Sequence, residues 1–277
     1  MQVIGVLGRG LVDPAHPAVH GDDLGFTRGD GCFEGCRVID GAVDKIEAHL
    51  ARIQHSAAAL DIPFAEPAWR ALVDEATGAW PARVEGSMRW FLTRGRPTAF
   101  EPTGLVTIDE LPPTLGAQRR DGVRAVTLTR GTSHDAFADA PWLLGGVKTI
   151  SYAVNMAAQR EALRRGADDA IFVSTGGHLL EGPTAAVVWT VSDTMYTVPP
   201  GGTGILASTT QQRLFERAAE HGWQTVLTGA VVDDLHAADA VFLASTVRGP
   251  VDVVELDGRP RPRDVDLVRT VQKLAGF

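Results

Sequence analysis

Apolar residues in this 277-residue chain recur at two periods, and the order in which those periods follow one another restricts the folds open to it. Strand-like runs come next to each other. VIGVLGRGLV reads as strand–turn–strand around its glycines, and FTRGDGCFEGCRVIDGAVDKI as two extended segments joined by the hairpin dipeptide Asp40-Gly41. Helical spacing follows in EAHLARIQHSAAALDI, where Leu50, Ile53, Ala57 and Leu60 share a face, and again in AWRALVDEATGAW. SMRWFLTRG and GLVTIDEL return to strand character. Further on, AVNMAAQREALRRG is a helix with Gly166 at its C-terminal cap, and STTQQRLFERAAEHG a helix closed by Gly222. DAIFVSTGGHLLEG reads as a hairpin, and AAVVWTVSDTMYTVP, AVFLAST and VVELDGRP supply more strand. Neighbouring strands without strict strand–helix–strand alternation predict an α+β (mixed α/β) fold rather than a doubly wound sheet. LPPTLGAQRRDG combines Pro-Pro, glycine and charge after a strand. It divides the chain into a small N-terminal α/β domain over 1–112, a connector over 113–121 and a larger C-terminal domain over 122–277.

Charge and cysteine content narrow the function classes. A net charge of −8, with no basic stripe interleaved with aromatics, disfavours nucleic acid as a partner. The short RPRPR at Arg259 to Arg263 reads as a solvated turn. No apolar run approaches the roughly 18–20 residues of a membrane span, and the N-terminus lacks the pattern of a signal peptide. No membrane partner and a cytoplasmic location are therefore expected. Cys32 and Cys36 are too few for a disulfide framework or a four-thiolate metal site and read as buried free thiols. The histidines lack metal-ligand spacing; His49 and His55, on the first helix, are expected at the solvent face.

Lysine is scarce. Of 26 basic residues only Lys45, Lys148 and Lys273 are lysine, and Lys148 sits in the apolar, glycine-rich stretch LLGGVKTISYAVN. An amine, unlike a guanidinium, can lose its proton when desolvated and attack a carbonyl. Glu181 ends a hairpin immediately before an apolar strand, where an acid needs a partner. Ser208, Thr209 and Thr210 open a helix, whose free N–H groups and hydroxyls can hold a phosphate. Arg52 can supply the countercharge. A reactive lysine, an acid and a dianion clamp together suit pyridoxal phosphate, which needs an imine partner, an acid facing its pyridine nitrogen and a phosphate site.

The ordered set GDGCFEGCRV, HLARI, VKTISYAVN, DAIFVSTGGHLLEGPTAAVVW, GILASTTQQRLFE and VFLAST resembles the class IV (fold-type IV) pyridoxal-phosphate enzymes over nearly the whole chain. That group includes branched-chain and D-amino-acid transaminases and aminodeoxychorismate lyases. The resemblance implies that Lys148 is the Schiff-base lysine and proton shuttle, and that Glu181 partners the pyridine nitrogen. It implies phosphate binding by Arg52, Thr209, Thr210 and Thr246, with Ser245 adjacent, and a place for Tyr152 against the cofactor's ring oxygen. It further implies a two-lobed fold, a small N-terminal lobe and a larger pseudo-barrel lobe with the cofactor in the cleft, and a homodimer.

Two reactions stay open. GDGCF, APWLLGGVKTISYAVNMA and VSTGGHLLEGP resemble lyase members most closely, which implies conversion of 4-amino-4-deoxychorismate to 4-aminobenzoate and pyruvate in folate synthesis. FEGCR instead resembles branched-chain transaminases, whereas TRGRPTAFEPTG lacks the Arg-x-His pair of D-amino-acid transaminases. Phe33 and Trp142 are candidates for lining the substrate pocket, Phe33 equally for core packing. Arg37, Arg89, Arg94 and Arg96 are candidate carboxylate binders, among which the sequence singles out none.

Overall fold

The computed structural model describes residues 1–99 and 101–277 and divides into two compact units. The first comprises Met1–Pro112 together with Val147–Tyr152; the second comprises Pro113–Gly146 and Ala153–Phe277.

The first unit contains β1 (Gln2–Val6), β2 (Gly10–Val12), α1 (Leu24–Arg28), β3 (Gly31–Ile39), β4 (Ala42–Val43), α2 (Ile46–Ala59), α3 (Glu66–Gly78), β5 (Gly86–Thr93) and β6 (Thr103–Glu110). Its strands form one antiparallel sheet in the order β2-β1-β6-β5-β3-β4. Asp40 and Gly41 both take positive φ, 51° and 74°, the backbone of the tight hairpin turn that the dipeptide predicts. Strand alternation sends Cys32, Cys36 and Val38 of β3, Met88 and Trp90 of β5, and Val106 and Ile108 of β6 into one core. Leu50, Ile53 and Ala57 of α2 and Trp69, Leu72 and Val73 of α3 close that core. Glu34 falls in the same alternating row as the two cysteines and is fully buried. The segment FTRG, expected to be extended, is instead the short helix α1. The wholly buried Asp23 caps it, accepting from the Gly25 N–H at 2.8 Å, and Gly29 ends it at a φ of 71°.

The second unit contains α4 (Thr114–Asp121), β7 (Val123–Thr129), α5 (Ala153–Arg164), β8 (Asp169–Val173), β9 (Ala186–Val191), β10 (Thr194–Thr197), α6 (Thr209–Glu220), β11 (Gln224–Leu227), α7 (Val232–Ala237), β12 (Ala240–Ser245), β13 (Gly249–Leu256), β14 (Arg259–Pro260) and α8 (Val265–Ala275). The sheet runs β11-β10-β9-β12-β13-β7-β8, with β14 paired to β13. It is mixed: β10–β11, β13–β7 and β7–β8 are parallel and the other pairs antiparallel. Both of its faces are apolar. Val187, Trp189, Val241 and Leu243 enter one core, while Val188, Ala240, Phe242 and Ala244 meet Leu214 and Phe215 of α6 and Val268, Val271 and Leu274 of α8 in another. Burial on both faces is why these strands read as continuous apolar runs.

The expected connector over 113–121 is the helix α4, packed on β13. Arg119 donates to the carbonyls of Val247 and Arg248 at 2.6 and 3.0 Å, and Gln272 donates to the carbonyl of Arg119 at 2.7 Å. Proline at a helix start costs no hydrogen bond. Because α4 buries none of its residues, it shows no apolar period to read.

Val147–Tyr152 joins the first unit by pairing with the start of β3. The Phe33 N–H donates to the Lys148 carbonyl at 2.9 Å and the Ile150 N–H to the Gly31 carbonyl at 3.0 Å, around an antiparallel Cys32–Thr149 bridge. Gly31 lies between this segment and β5. A Cβ there would stand 2.6 Å from the Leu92 carbonyl oxygen, 2.9 Å from Thr93 Cα and 3.2 Å from Ile150 Cδ1. Gly31→Ala should therefore lower the unfolding free energy by about 1–3 kcal/mol through overpacking against backbone. An earlier urea midpoint for the variant is the expected outcome, and an unchanged one would show that this close approach carries no constraint.

Candidate active site

Lys148 is held by its backbone on two sides. Its carbonyl accepts from β3, and its N–H donates to Ser56 Oγ of α2 at 3.2 Å. Its Nζ lies 4.3 Å from the ring centroid of Phe33 and 5.3 Å from that of Tyr152, and donates to the Tyr152 hydroxyl at 3.4 Å. The two rings meet edge-on with centroids 4.9 Å apart. An ammonium over aromatic faces is attracted by the ring quadrupoles, and the half-buried setting strips part of its hydration. Phe33 also stacks on its cross-strand neighbour Phe91 at 6.0 Å, so packing and presentation to Lys148 coexist in one side chain.

Beneath the lysine lies a charged cluster. The carboxylate of Glu34, buried in the apolar row of β3, accepts from Arg52 Nε at 3.1 and 3.2 Å and from Arg52 Nη2 at 2.8 and 2.9 Å. His49 Nδ1 lies 2.5 Å from Glu34 Oε2. Burial alone would raise the pKa of Glu34. The charge of Arg52, the hydrogen bond from His49 and the charge of Lys148 reverse that and leave the carboxyl below its ordinary value. Burial lowers the pKa of His49 despite its acidic partner, so the ring is neutral and donates through Nδ1. Cys32, pushed up to about 12 chiefly by burial and then by Glu34, and Cys36, raised for the same reasons, stay protonated thiols. Both are free.

In the second unit, the hairpin after β8 is closed by Leu180 N–H to the Phe172 carbonyl at 2.9 Å and Phe172 N–H to the Glu181 carbonyl at 2.8 Å. It ends on Glu181, whose Oε2 accepts the Leu206 N–H at 3.1 Å. The turn that follows is pinned by Asn155 Nδ2 donating to the Pro183 carbonyl at 2.7 Å. Ser208 caps α6, accepting from the Gln211 N–H at 3.2 Å. Behind it, the hydroxyls of Thr209 and Thr210 each lie 3.3 Å from the hydroxyl of Thr246, which follows Ser245 at the end of β12. Three converging hydroxyls at a helix N-terminus form a neutral donor set suited to an oxyanion.

The other candidates are dispersed. Trp142 lies in a single 3-10 turn, Pro141–Leu143, and is 75% exposed. Arg37 is buried and pairs with Glu85 at 2.5 Å. Arg89 makes a long contact with Asp109, at 3.5 Å. Arg94 holds Asp30 at 2.6 Å and the Leu60 carbonyl at 2.7 Å, and Arg96 holds Asp22 at 2.8 Å. Arg94 and Arg96 share the wall of a cavity of about 300 Å³ with Leu24, Ile62 and Pro97. Any substrate carboxylate taken up by these arginines would have to displace or share a carboxylate of the protein.

His49, expected at solvent, is fully buried; its spacing from Leu50 and Ile53 places it at the edge of the apolar stripe, and a buried acid is there to receive it. The sequence pattern alone does not single out Glu34 or Ser56, which hold Arg52 and the Lys148 N–H. A lone carboxylate within the row Cys32, Cys36, Val38 was the available signal, because an acid in such a row must find a cation.

A family model described as amino-transferase class IV matches residues 31–256. The chain is 41% identical over 262 residues, 91% of each chain, to a Mycobacterium tuberculosis protein named bifunctional aminodeoxychorismate lyase / D-amino acid transaminase. Among solved structures, the PLP-bound form of a hypothetical aminotransferase from M. tuberculosis is 40% identical. It matches with a TM-score of 0.95 over 99% of this chain and 97% of that one. A fold IV-transaminase from Curtobacterium pusillum is 39% identical, with a TM-score of 0.91 over the same shares of the two chains.

The neutrality of His49 has a pH signature. Its folded pKa lies below the ordinary value of about 6.5, so unfolded chains bind a proton that the folded chain refuses. The contribution to stability is complete above about pH 6.5 and declines as pH falls from there toward the folded value. Urea midpoints across roughly pH 5–8 should show this decline in the parent and lose it in His49→Gln. A decline that persists in the variant would belong to another group.

Proposed function

The chain belongs to the class IV aminotransferase family, and we propose that within it the chain is an aminodeoxychorismate lyase, releasing 4-aminobenzoate and pyruvate for folate synthesis. Similarity along nearly the full length of the bifunctional mycobacterial relative carries this reading. Pyridoxal phosphate is the family's cofactor, and the donor set here fits it. A lysine amine sits in an aromatic setting, a carboxylate is oriented by a backbone N–H, and three hydroxyls converge at a helix N-terminus.

Bound pyridoxal phosphate supplies a carbonyl carbon that takes up amines and a conjugated ring that accepts the electron pair left when a carbon loses its proton. In this reading Lys148 holds the cofactor through its amine until substrate arrives. Glu181 gives a fixed oxygen to the pyridine N–H. Thr209, Thr210, Thr246 and the first N–H groups of α6 bind the phosphate, with Ser245 beside them and charge from Arg52. Tyr152 orients Nζ and faces the ring oxygen. Released from the cofactor, Lys148 takes the proton from the amine-bearing ring carbon of aminodeoxychorismate. The bond to the enolpyruvyl oxygen breaks and the ring becomes aromatic. The same proton, given to the methylene carbon of the departing enolpyruvate, completes pyruvate, so no keto acid is consumed. Phe33 and Trp142 line the substrate's apolar side, and Arg94 or Arg96 in preference to the buried Arg37 receives a carboxylate. The working form is a cytoplasmic homodimer, with a small N-terminal and a larger C-terminal domain.

A second reading, D-amino-acid or branched-chain transamination at the same lysine, is supported in its D-amino-acid form by the double name of the mycobacterial relative and in its branched-chain form by FEGCR. Arg94-Gly95-Arg96, with no histidine at the last position, weighs against the D-amino-acid form. Purified protein given pyridoxal phosphate and aminodeoxychorismate without any keto acid should release 4-aminobenzoate and pyruvate in equal amounts. Absence of product from protein with bound cofactor, together with turnover of an amino acid and a keto acid, would transfer the assignment to transaminase. Lys148→Ala should lose both the visible absorption of lysine-bound cofactor and measurable turnover. Retention of either would remove Lys148 from its role.

A further inference from the structure

Helix α2 presents His49, Arg52 and Ser56 to one place in the first unit, and all three act on β3 or on the segment bearing Lys148. His49 and Arg52 grip Glu34, while Ser56 accepts the Lys148 N–H. Glu34 is adjacent in sequence to Phe33, whose N–H holds the Lys148 carbonyl and whose ring lies under its amine. The arrangement is expensive. Glu34 and His49 have no exposure, and His49 Nε2 has no hydrogen-bond partner among the described residues. A buried orphan nitrogen is a standing cost, and a buried ion pair is often no more stable than apolar residues of the same volume. Stability of the core therefore gives a poor account of why these groups are here.

We propose that Glu34 is a positioning residue for phosphate recognition: its carboxylate, locked by His49, fixes the guanidinium of Arg52 in the one orientation in which the fork meets the cofactor's phosphate. This rests on the phosphate-binding reading of Arg52. A guanidinium recognises phosphate as a planar fork, so its orientation is part of the recognition. Glu34 sets the plane by holding Nε and Nη2 with both oxygens. His49, neutral and donating through Nδ1, stops the carboxylate from turning without adding a charge. Positioning has an electrostatic penalty, because Glu34 offsets the positive charge of Arg52. The two effects have opposite signs, which makes the proposal testable: neutralising Glu34 strengthens phosphate binding if charge dominates and weakens it if orientation dominates.

The experiment compares binding of pyridoxal 5′-phosphate with that of pyridoxal by apo protein, followed by visible absorption. Both compounds react through the same aldehyde carbon, and the hemiacetal that free pyridoxal forms with its own hydroxyl is common to parent and variants, so the change in the affinity ratio between them isolates the phosphate. Glu34→Gln, which keeps the shape, and Glu34→Asp, which keeps the charge but shortens the reach, should each reduce that ratio about tenfold or more, with pyridoxal affinity little changed. Arg52→Ala should reduce it at least as far, and adding Glu34→Gln to Arg52→Ala should do nothing further. An unchanged ratio in both Glu34 variants, whatever happens to their melting temperatures, would make the cluster purely structural and overturn the proposal. A higher ratio in Glu34→Gln with a parental ratio in Glu34→Asp would overturn it in favour of charge. A parental ratio in Arg52→Ala would instead locate the failure in the phosphate reading of Arg52.

Discussion

A carboxylate in an apolar core must be matched at both oxygens, and in this protein that requirement organises the surroundings of Lys148. Glu34 stands where strand alternation would ordinarily put a valine or a leucine. Meeting its demand fixes which face of α2 turns to the sheet, because Arg52 and His49 must both arrive there. Once that face is fixed, Ser56, one turn beyond Arg52, is delivered to the backbone of Lys148. The apolar residues Leu50, Ile53 and Ala57 of the same helix supply the burial that makes the docking favourable, while the polar ones set its register.

The two units bring different chemistry. The first concentrates ionised groups, an acid and a guanidinium beside an amine, with aromatic rings against the amine. The second offers hydroxyls, backbone N–H groups and one carboxylate on an ordered hairpin. Neutral donors at a helix N-terminus carry no desolvation cost of a full charge, whereas nearby charges shift the proton affinity of an ionisable group.

Much of this was readable in the sequence wherever local chemistry and long-range packing agree. Asp40-Gly41 can make little other than a tight turn, and the apolar spacing of α2 and α6 reports burial directly. Lys148 stood out because arginine fills almost every other basic position. Reading failed where a tertiary partner decides the outcome. α4 has no buried residue and so no period, and α1 is held by an aspartate whose burial is not legible from its neighbours. His49 looked like a solvent residue because its partner, Glu34, is an acid from another element, and only their meeting makes burial affordable.

Val147–Tyr152 packs with the first unit, yet the chain on either side of it belongs to the second. On the ribosome, the first unit stays without its last edge segment until residue 152 has emerged, long after Pro112 has done so. Its sheet edge at Gly31–Phe33 is exposed for that interval, and it closes only when Val147–Tyr152 is available. Neither half of the chain, made alone and cut at the boundary near Pro113, carries both the lysine and everything that holds it. Folding of the two units is thereby coupled through six residues, and the Lys148 amine is set in place only after synthesis has passed well into the second.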